Sequence, residues 1–191
     1  MGSKTAIATV LCMAAAMLAG CKSEKKPETT NLVLHANGPD WVNGGTGPFT
    51  EESGKRFHGV GIVSGVRDAA VRRRMVDTRA REEVQKALEN LLDAIQKDAP
   101  MAPDADAEAK QRTQQGLKAL AASGEGVRIV DHWVDSDSTE YALALLDLAA
   151  FKDNLAKAKD LDTRAKDSVR RNADRVFDES SAEKASHSAR R

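Results

Sequence analysis

Four groups of side chains in this sequence are of types that could do chemistry. Gly59-Val60-Gly61, with Gly65 and a helical stretch behind it, has the makings of a phosphate cradle. A dinucleotide site wants G-x-G-x-x-G between the strand and helix of a parallel βαβ unit. Here the third glycine falls one residue late and the later strands read as a hairpin. A glycine strand lying close beneath a helix is the better reading. Asp131, His132, Asp135 and Asp137 gather oxygen and imidazole donors over a short span. A divalent ion needs such donors to converge. Neighbours on an alternating strand point to opposite faces, and aspartates at 135 and 137 are ordinary turn residues, so no metal site is expected. Arg67, Arg72, Arg73, Arg74, Arg79 and Arg81 make the start of a long helix basic, against Asp68 and Asp77. Of these, Arg72, Arg73, Arg79 and Arg81 are the candidates for meeting an anionic surface, although a solvated helix face is the plainer account. No serine stands in a nucleophile elbow, and no catalytic residue or cofactor site is expected.

The fourth group surrounds Cys21. Lys4 is followed by an uncharged, alanine-rich run from Thr5 to Gly20 that includes Val10, Leu11, Met13, Met17 and Leu18. That layout suits a secretory signal peptide over 1–20 and is shorter and less apolar than the ~20 residues of a spanning helix. Leu18-Ala19-Gly20-Cys21 resembles the lipobox of bacterial lipoproteins. Small residues at 19 and 20 fit a narrow protease site, and a thiol at 21 is what forms a thioether to diacylglycerol. The resemblance implies cleavage before Cys21 and acyl chains (palmitate-like) on it. Two or more chains give stable attachment. Cys12 would leave with the leader, which excludes cysteine catalysis and disulfides. Lys22, in place of the aspartate that retains such proteins in the inner membrane, favours the outer membrane.

Composition narrows the rest. The chain has 191 residues, 29 basic against 29 acidic, with 41% hydrophobic and only 4% aromatic side chains. This suits one small domain with appendages. Balanced charge and scarce aromatics argue against nucleic acid, which needs a basic surplus and stacking platforms.

The elements that would hold these groups follow from periodicity. Residues 21–38 contain little to bury and read as a flexible tether, able to reach about 55–60 Å when extended. Residues 39–56 are rich in Gly and Pro and read as a loop pinned by Trp41 and Phe49. Phe57 to Val66 reads as a strand. From 67 to 97 an apolar stripe of Met75, Val76, Ala80, Val84, Ala87, Leu88, Leu91, Leu92 and Ile95 recurs at helical spacing. Pro100 and Pro103 stop it, and Asp104 is placed to cap a second helix ending near Ser123-Gly124. Residues 127–134 and 141–145 alternate about a polar turn and read as a hairpin. A C-terminal helix is expected over 151–179 and a disordered tail over 180–191. The order β-α-α-β-β-α predicts an α+β domain over 39–150. Its sheet would be three-stranded and mainly antiparallel, with the long helix laid across it.

Pro39-Asp40-Trp41-Val42, Gly59-Val60-Gly61, Thr78-Arg79-Ala80-Arg81-Glu82 and the hairpin Ile129-Val130-Asp131-His132-Trp133 with Tyr141-Ala142-Leu143-Ala144 occur in this order. Together with the lipobox they resemble the LPP-twenty family of outer-membrane lipoproteins over roughly residues 39–150. The resemblance implies a non-enzymatic lipoprotein with a small α+β domain akin to the dodecin unit. Trp41, Gly59, Gly61, Trp133 and Tyr141 match as framework positions. The expectation is a lipid-anchored, non-catalytic envelope protein of a Gram-negative outer membrane, acting through protein contacts in the periplasm or at the cell surface. The alternative is a module that binds peptidoglycan or another envelope glycan through the Arg-rich helix. An exposed sheet edge would leave a route to homo-oligomers.

Overall fold

A computed structural model describes residues 35–98 and 106–189. In chain order the elements are α1 (Asp40–Gly44), β1 (Gly47–Glu51), β2 (Gly54–Val63), α2 (Ala69–Asp98), α3 (Ala107–Ser123), β3 (Arg128–Val134), β4 (Glu140–Asp147), α4 (Leu148–Lys157) and α5 (Thr163–Ser188). The described strands form one antiparallel sheet in the order β1-β2-β4-β3. The α+β class is as expected, but the sheet has four strands rather than three. The added strand, β1, lies inside the stretch read as a loop. Gly47 and Pro48 hide it, and Pro48 is tolerated because β1 is an edge strand, where a missing N–H costs no ladder bond.

One face of the sheet carries α2, and the contact is made almost backbone to backbone. A Cβ added at Gly59 would lie 2.2 Å from the Ala80 carbonyl oxygen, and one at Gly61 would lie 2.3 Å from that of Val76. Both are closer than real Cβ contacts, so only glycine lets the helix settle here. Ala142 and Ala144 of β4 and Ala80 of α2 continue the small-residue floor, all fully buried. The predicted stripe of α2 is buried from Val76 to Ile95, whereas Met75 lies outside it at 36% exposure. Beyond the floor, the rings of Phe57 and Phe177 meet edge-on at 5.0 Å and join β2 to α5. Each fully buried side chain of this size contributes about 1.5–3 kcal/mol.

The opposite face holds a smaller cluster of Val42, Val60, Tyr141, Leu143 and Leu145, against which Trp41 and Trp133 pack. Here α1 and the chain before it provide the cover. The Trp41 indole N–H donates to Asp131 Oδ2 at 2.9 Å.

Several boundaries differ from the sequence reading, each for a local reason. The cap of α3 is Asp106, whose carboxylate accepts from the Ala109 N–H at 2.7 Å, and Asp104 lies outside the described residues. Gly124 ends α3 in the left-handed conformation at φ 59°, the usual glycine stop. The segment read as one C-terminal helix over 151–179 is two, α4 and α5. The chain breaks between them because Leu161 turns inward, 5% exposed, and Asp162 caps α5 by accepting from the Ala165 N–H at 2.7 Å. Gly116 makes room for Leu161, whose Cδ2 would lie 2.8 Å from a Cβ there. Finally, α5 runs on to Ser188, so the stretch from 180 read as a disordered tail is helical to that residue.

Candidate functional site

The lipobox residues Leu18, Ala19, Gly20 and Cys21, the leader over 1–20 and most of the tether over 21–38 lie outside the described residues. No described helix is long and apolar enough to cross a membrane. The remaining candidates can be placed on the fold.

The arginines proposed for an anionic surface are engaged within the domain. Glu140, at the start of β4, is only 2% exposed. Its Oε2 accepts from Arg72 Nε at 2.9 Å, and Arg73 Nε pairs with Oε1, off the hydrogen-bonding angle. The Arg72 guanidinium also donates to the Val66 carbonyl at 2.8 Å. Arg79 donates to the Ile62 carbonyl, and Arg81 to that of Val127 at 2.7 Å. A buried carboxylate needs its partners, since removing one partner of such a pair costs about 3–5 kcal/mol. These side chains therefore fasten the start of α2 to the sheet ends.

Among the described residues no group of three or more His, Cys, Asp or Glu side chains is arranged to hold a metal ion. Asp131 and His132 diverge as strand geometry requires. Asp131 meets Trp41, while His132 Nε2 pairs with Asp77 Oδ1 on α2 at 2.6 Å. Asp135 and Asp137 shape the hairpin turn, where Asp137 accepts from the Thr139 N–H at 2.8 Å. Hydrogen bonds to the Ser136 N–H, and then to His35, hold the Asp135 carboxyl below its usual pKa.

Sequence reasoning missed two constellations. The first is a relay over the smaller cluster. His35 Nδ1 faces Asp135 Oδ2 at 2.8 Å, and its Nε2 faces the Tyr141 hydroxyl, also at 2.8 Å. With Nδ1 donating to the carboxylate, Nε2 accepts from the Tyr141 hydroxyl. The imidazole stands edge-on to Trp133 and Tyr141 at 5.4 and 5.1 Å. Burial, and then the charges of Asp135 and Asp137, push the tyrosine pKa above 10, so the phenol stays protonated. Its proton serves the imidazole, and the group works as a clasp on the chain entering the domain.

The second is a cleft where β1, α2 and the last turns of α5 meet. Its cavity is about 430 Å³, with Phe57, Ala87 and Leu91 as apolar walls and Thr46, Glu83, Lys86, Asn90, Ser180 and Lys184 as polar ones. Lys184 is half-buried, lies 3.7 Å from the centre of the Phe49 ring and donates to the Gly45 and Thr46 carbonyls. Burial pulls its pKa down to about 8. Carbonyl oxygens and an aromatic face favour the ammonium and work against that pull. The Phe49 ring also stacks on His58 at 4.1 Å, and His58 Nε2 donates to Glu51 Oε1 at 2.7 Å. Desolvation, opposed by Glu51, lowers the His58 pKa below 6.5, so the imidazole is held neutral. Lys184 had a signal in the sequence. Val176, Phe177, Ser180 and Lys184 continue one helix face at spacings of three and four, past the point where the apolar residues run out.

In comparisons with known proteins, no family model matches the chain and no curated protein matches it.

Proposed function

We propose that the chain is a lipid-anchored, non-catalytic lipoprotein of the bacterial outer membrane, whose α+β domain acts through contacts with other envelope components. The observation that carries this reading is the sequence Leu18-Ala19-Gly20-Cys21 at the end of an uncharged leader. The resemblance to LPP-twenty lipoproteins supports it. So does the arrangement of the domain, in which His35, inside the stretch 21–38 read as flexible, is held in place by Asp135 and Tyr141. A pull along the tether would be borne at the sheet. The polar groups found here also have structural duties: the Asp135-His35-Tyr141 relay ends on a protonated phenol.

The test is chemical. In cells given labelled palmitate, the wild-type chain takes up label and fractionates with the outer membrane. Cys21→Ser takes up none and leaves that fraction, and unchanged fractionation of the variant would refute the anchor.

The glycan-binding alternative rested on free cations along the start of α2. Arg72 and Arg73 are paired with Glu140, which weakens that motivation, whereas Arg79 and Arg81 donate only to backbone carbonyls and keep their charge. As for assembly, the exposed edges are blunted. β1 carries Pro48, and β3 has a register break between Ile129 and Asp131, two devices that discourage strand pairing between copies.

A further inference from the structure

The cleft holding Lys184 has features that its structural role does not use. A pocket of about 430 Å³ falls in the range of small-ligand sites, roughly 300–1,000 Å³, which combine apolar walls with a few converging polar groups. Phe57 is 1% exposed, Leu91 4% and Ala87 9%, so these apolar walls belong to the packed core. The side chains of Asn90 and Ser180 make no hydrogen bond to any described residue and line the same space.

Charge decides the ligand class. Glu83 and Lys86, both in the lining, pair with each other at 2.6 Å and cancel. Lys184 has no carboxylate partner among the described residues. Its contacts are carbonyl oxygens and a ring, which solvate the ammonium in part and leave its charge unneutralised. A half-buried cation without a counter-charge favours an anion beside it. The apolar walls then require that the anion carry a hydrophobic part.

We propose that the cleft between β1, α2 and α5 binds a small amphiphilic carboxylate, with Lys184, Asn90 and Ser180 taking its head and Phe57, Ala87 and Leu91 taking its tail. One bound molecule would neutralise Lys184 and cover the apolar wall, with the solvent-exposed Asn90 amide and the Ser180 hydroxyl beside its head. It would also tie the last turns of α5 to β1.

The experiment uses the full chain and follows its melting temperature with hexanoate as probe, at constant ionic strength. A ligand that binds only the folded state raises Tm, by an amount that grows with the logarithm of its concentration once the site is filled. Hexanoate is expected to give that rise up to tens of millimolar. Acetate, which has the head without the tail, and hexanol, which has the tail without the charge, are expected to give none. In Lys184→Met the hexanoate shift should vanish. Ser180→Leu, which fills the cleft and leaves the lysine in place, should lose it too and serves if Lys184→Met does not fold. Equal shifts from hexanoate and hexanol, or from hexanoate and acetate, would overturn the proposal. So would an unchanged hexanoate shift in Ser180→Leu, or no shift with the wild-type chain.

Discussion

The two faces of the sheet are built on opposite principles. Where α2 crosses the middle of the sheet it meets almost no side chain, only Gly59 and Gly61 on β2 and Ala142 and Ala144 on β4. Phe57, Val63 and Leu146 fill the space at either end. The helix rests on the strands' backbone, and stability comes from dense packing that no larger residue can enter. On the other face, aromatic side chains do the filling and polar bonds do the locating. Tyr141, Trp133 and Trp41 pack over Val60, Leu143 and Leu145, while His35, Asp135 and Asp131 fix where they lie. The first face tolerates no change in volume. The second can lose one hydrogen bond and keep its shape. A sheet with one face of each kind combines a rigid core with a cover held by individually modest bonds.

The contrast can be broken most severely at Gly61. Gly61→Val places atoms where the Val76 carbonyl and the Ala80 N–H already stand. The cost should be at least ~3 kcal/mol, above the usual overpacking range because the obstacle is backbone. Urea denaturation, or failure to recover folded protein, is the measurement. Next is the ion group at the end of the same face. Arg72→Met leaves Glu140 buried with only Arg73, and a loss toward the lower end of ~3–5 kcal/mol is expected. An unchanged denaturation midpoint would refute the claim that this ion group fastens α2 to the sheet.

On the aromatic face the expected losses are smaller. Tyr141→Phe removes the hydroxyl that His35 accepts from and should cost about 1 kcal/mol. Faster amide exchange should be confined to the chain around His35 to Val42. If exchange rises equally along α2, the two faces are not independent and the comparison fails.

The remaining effects are pH-dependent and belong to the sheet edge, where β1 meets α5. The His58 pKa is depressed by burial, so the unfolded chain takes up a proton near 6.5 before the folded one does. Stability should therefore fall as pH drops below about 6.5, and His58→Phe should lose that part of the acid response. Lys184 behaves alike at the alkaline end. Its folded pKa of about 8 lies below the 10.5 of the free side chain, so the unfolded state holds more protons between those values. Relative to Lys184→Met, the wild-type chain should gain stability as pH rises from about 8 to 10.5. A flat difference across that window would show that the carbonyls and the Phe49 ring have restored the ammonium.

How much of this could be read beforehand varies with the kind of signal. The α2 stripe was legible because nine apolar residues at helical spacing leave one solution. The β3–β4 hairpin was legible from alternation about Asp135–Ser138. Gly59 and Gly61 were rightly read as a close approach beneath a helix. β1 was illegible because five residues with a glycine and a proline carry no alternation. The break between α4 and α5 was missed because Asp160-Leu161-Asp162 offers only one apolar residue, and its inward turn depends on the space left by Gly116. Arg72, Arg73, Arg74, Arg79 and Arg81 were correctly located on α2, whereas Arg67 lies before it. All were assigned to solvent or to an anionic surface, since nothing local says that Glu140 is buried beside Arg72 and Arg73. His35 and Tyr141 stand more than a hundred residues apart, and no spacing rule connects them. Lys184 carried a signal, but a run of charged residues concealed it.

The sequence by itself determined the lipobox resemblance, the α+β class, the long helix and the small residues that let it lie on the sheet. These are local matters of residue type and period, fixed by sterics along a few turns or a single strand. Only the tertiary structure decided which charges are spent and which remain. Glu140 takes up Arg72 and Arg73, and Lys184 is left without a counter-charge beside an apolar cleft. Pairing of that kind is set by distances between elements remote in the chain, and burial then magnifies each pairing or its absence.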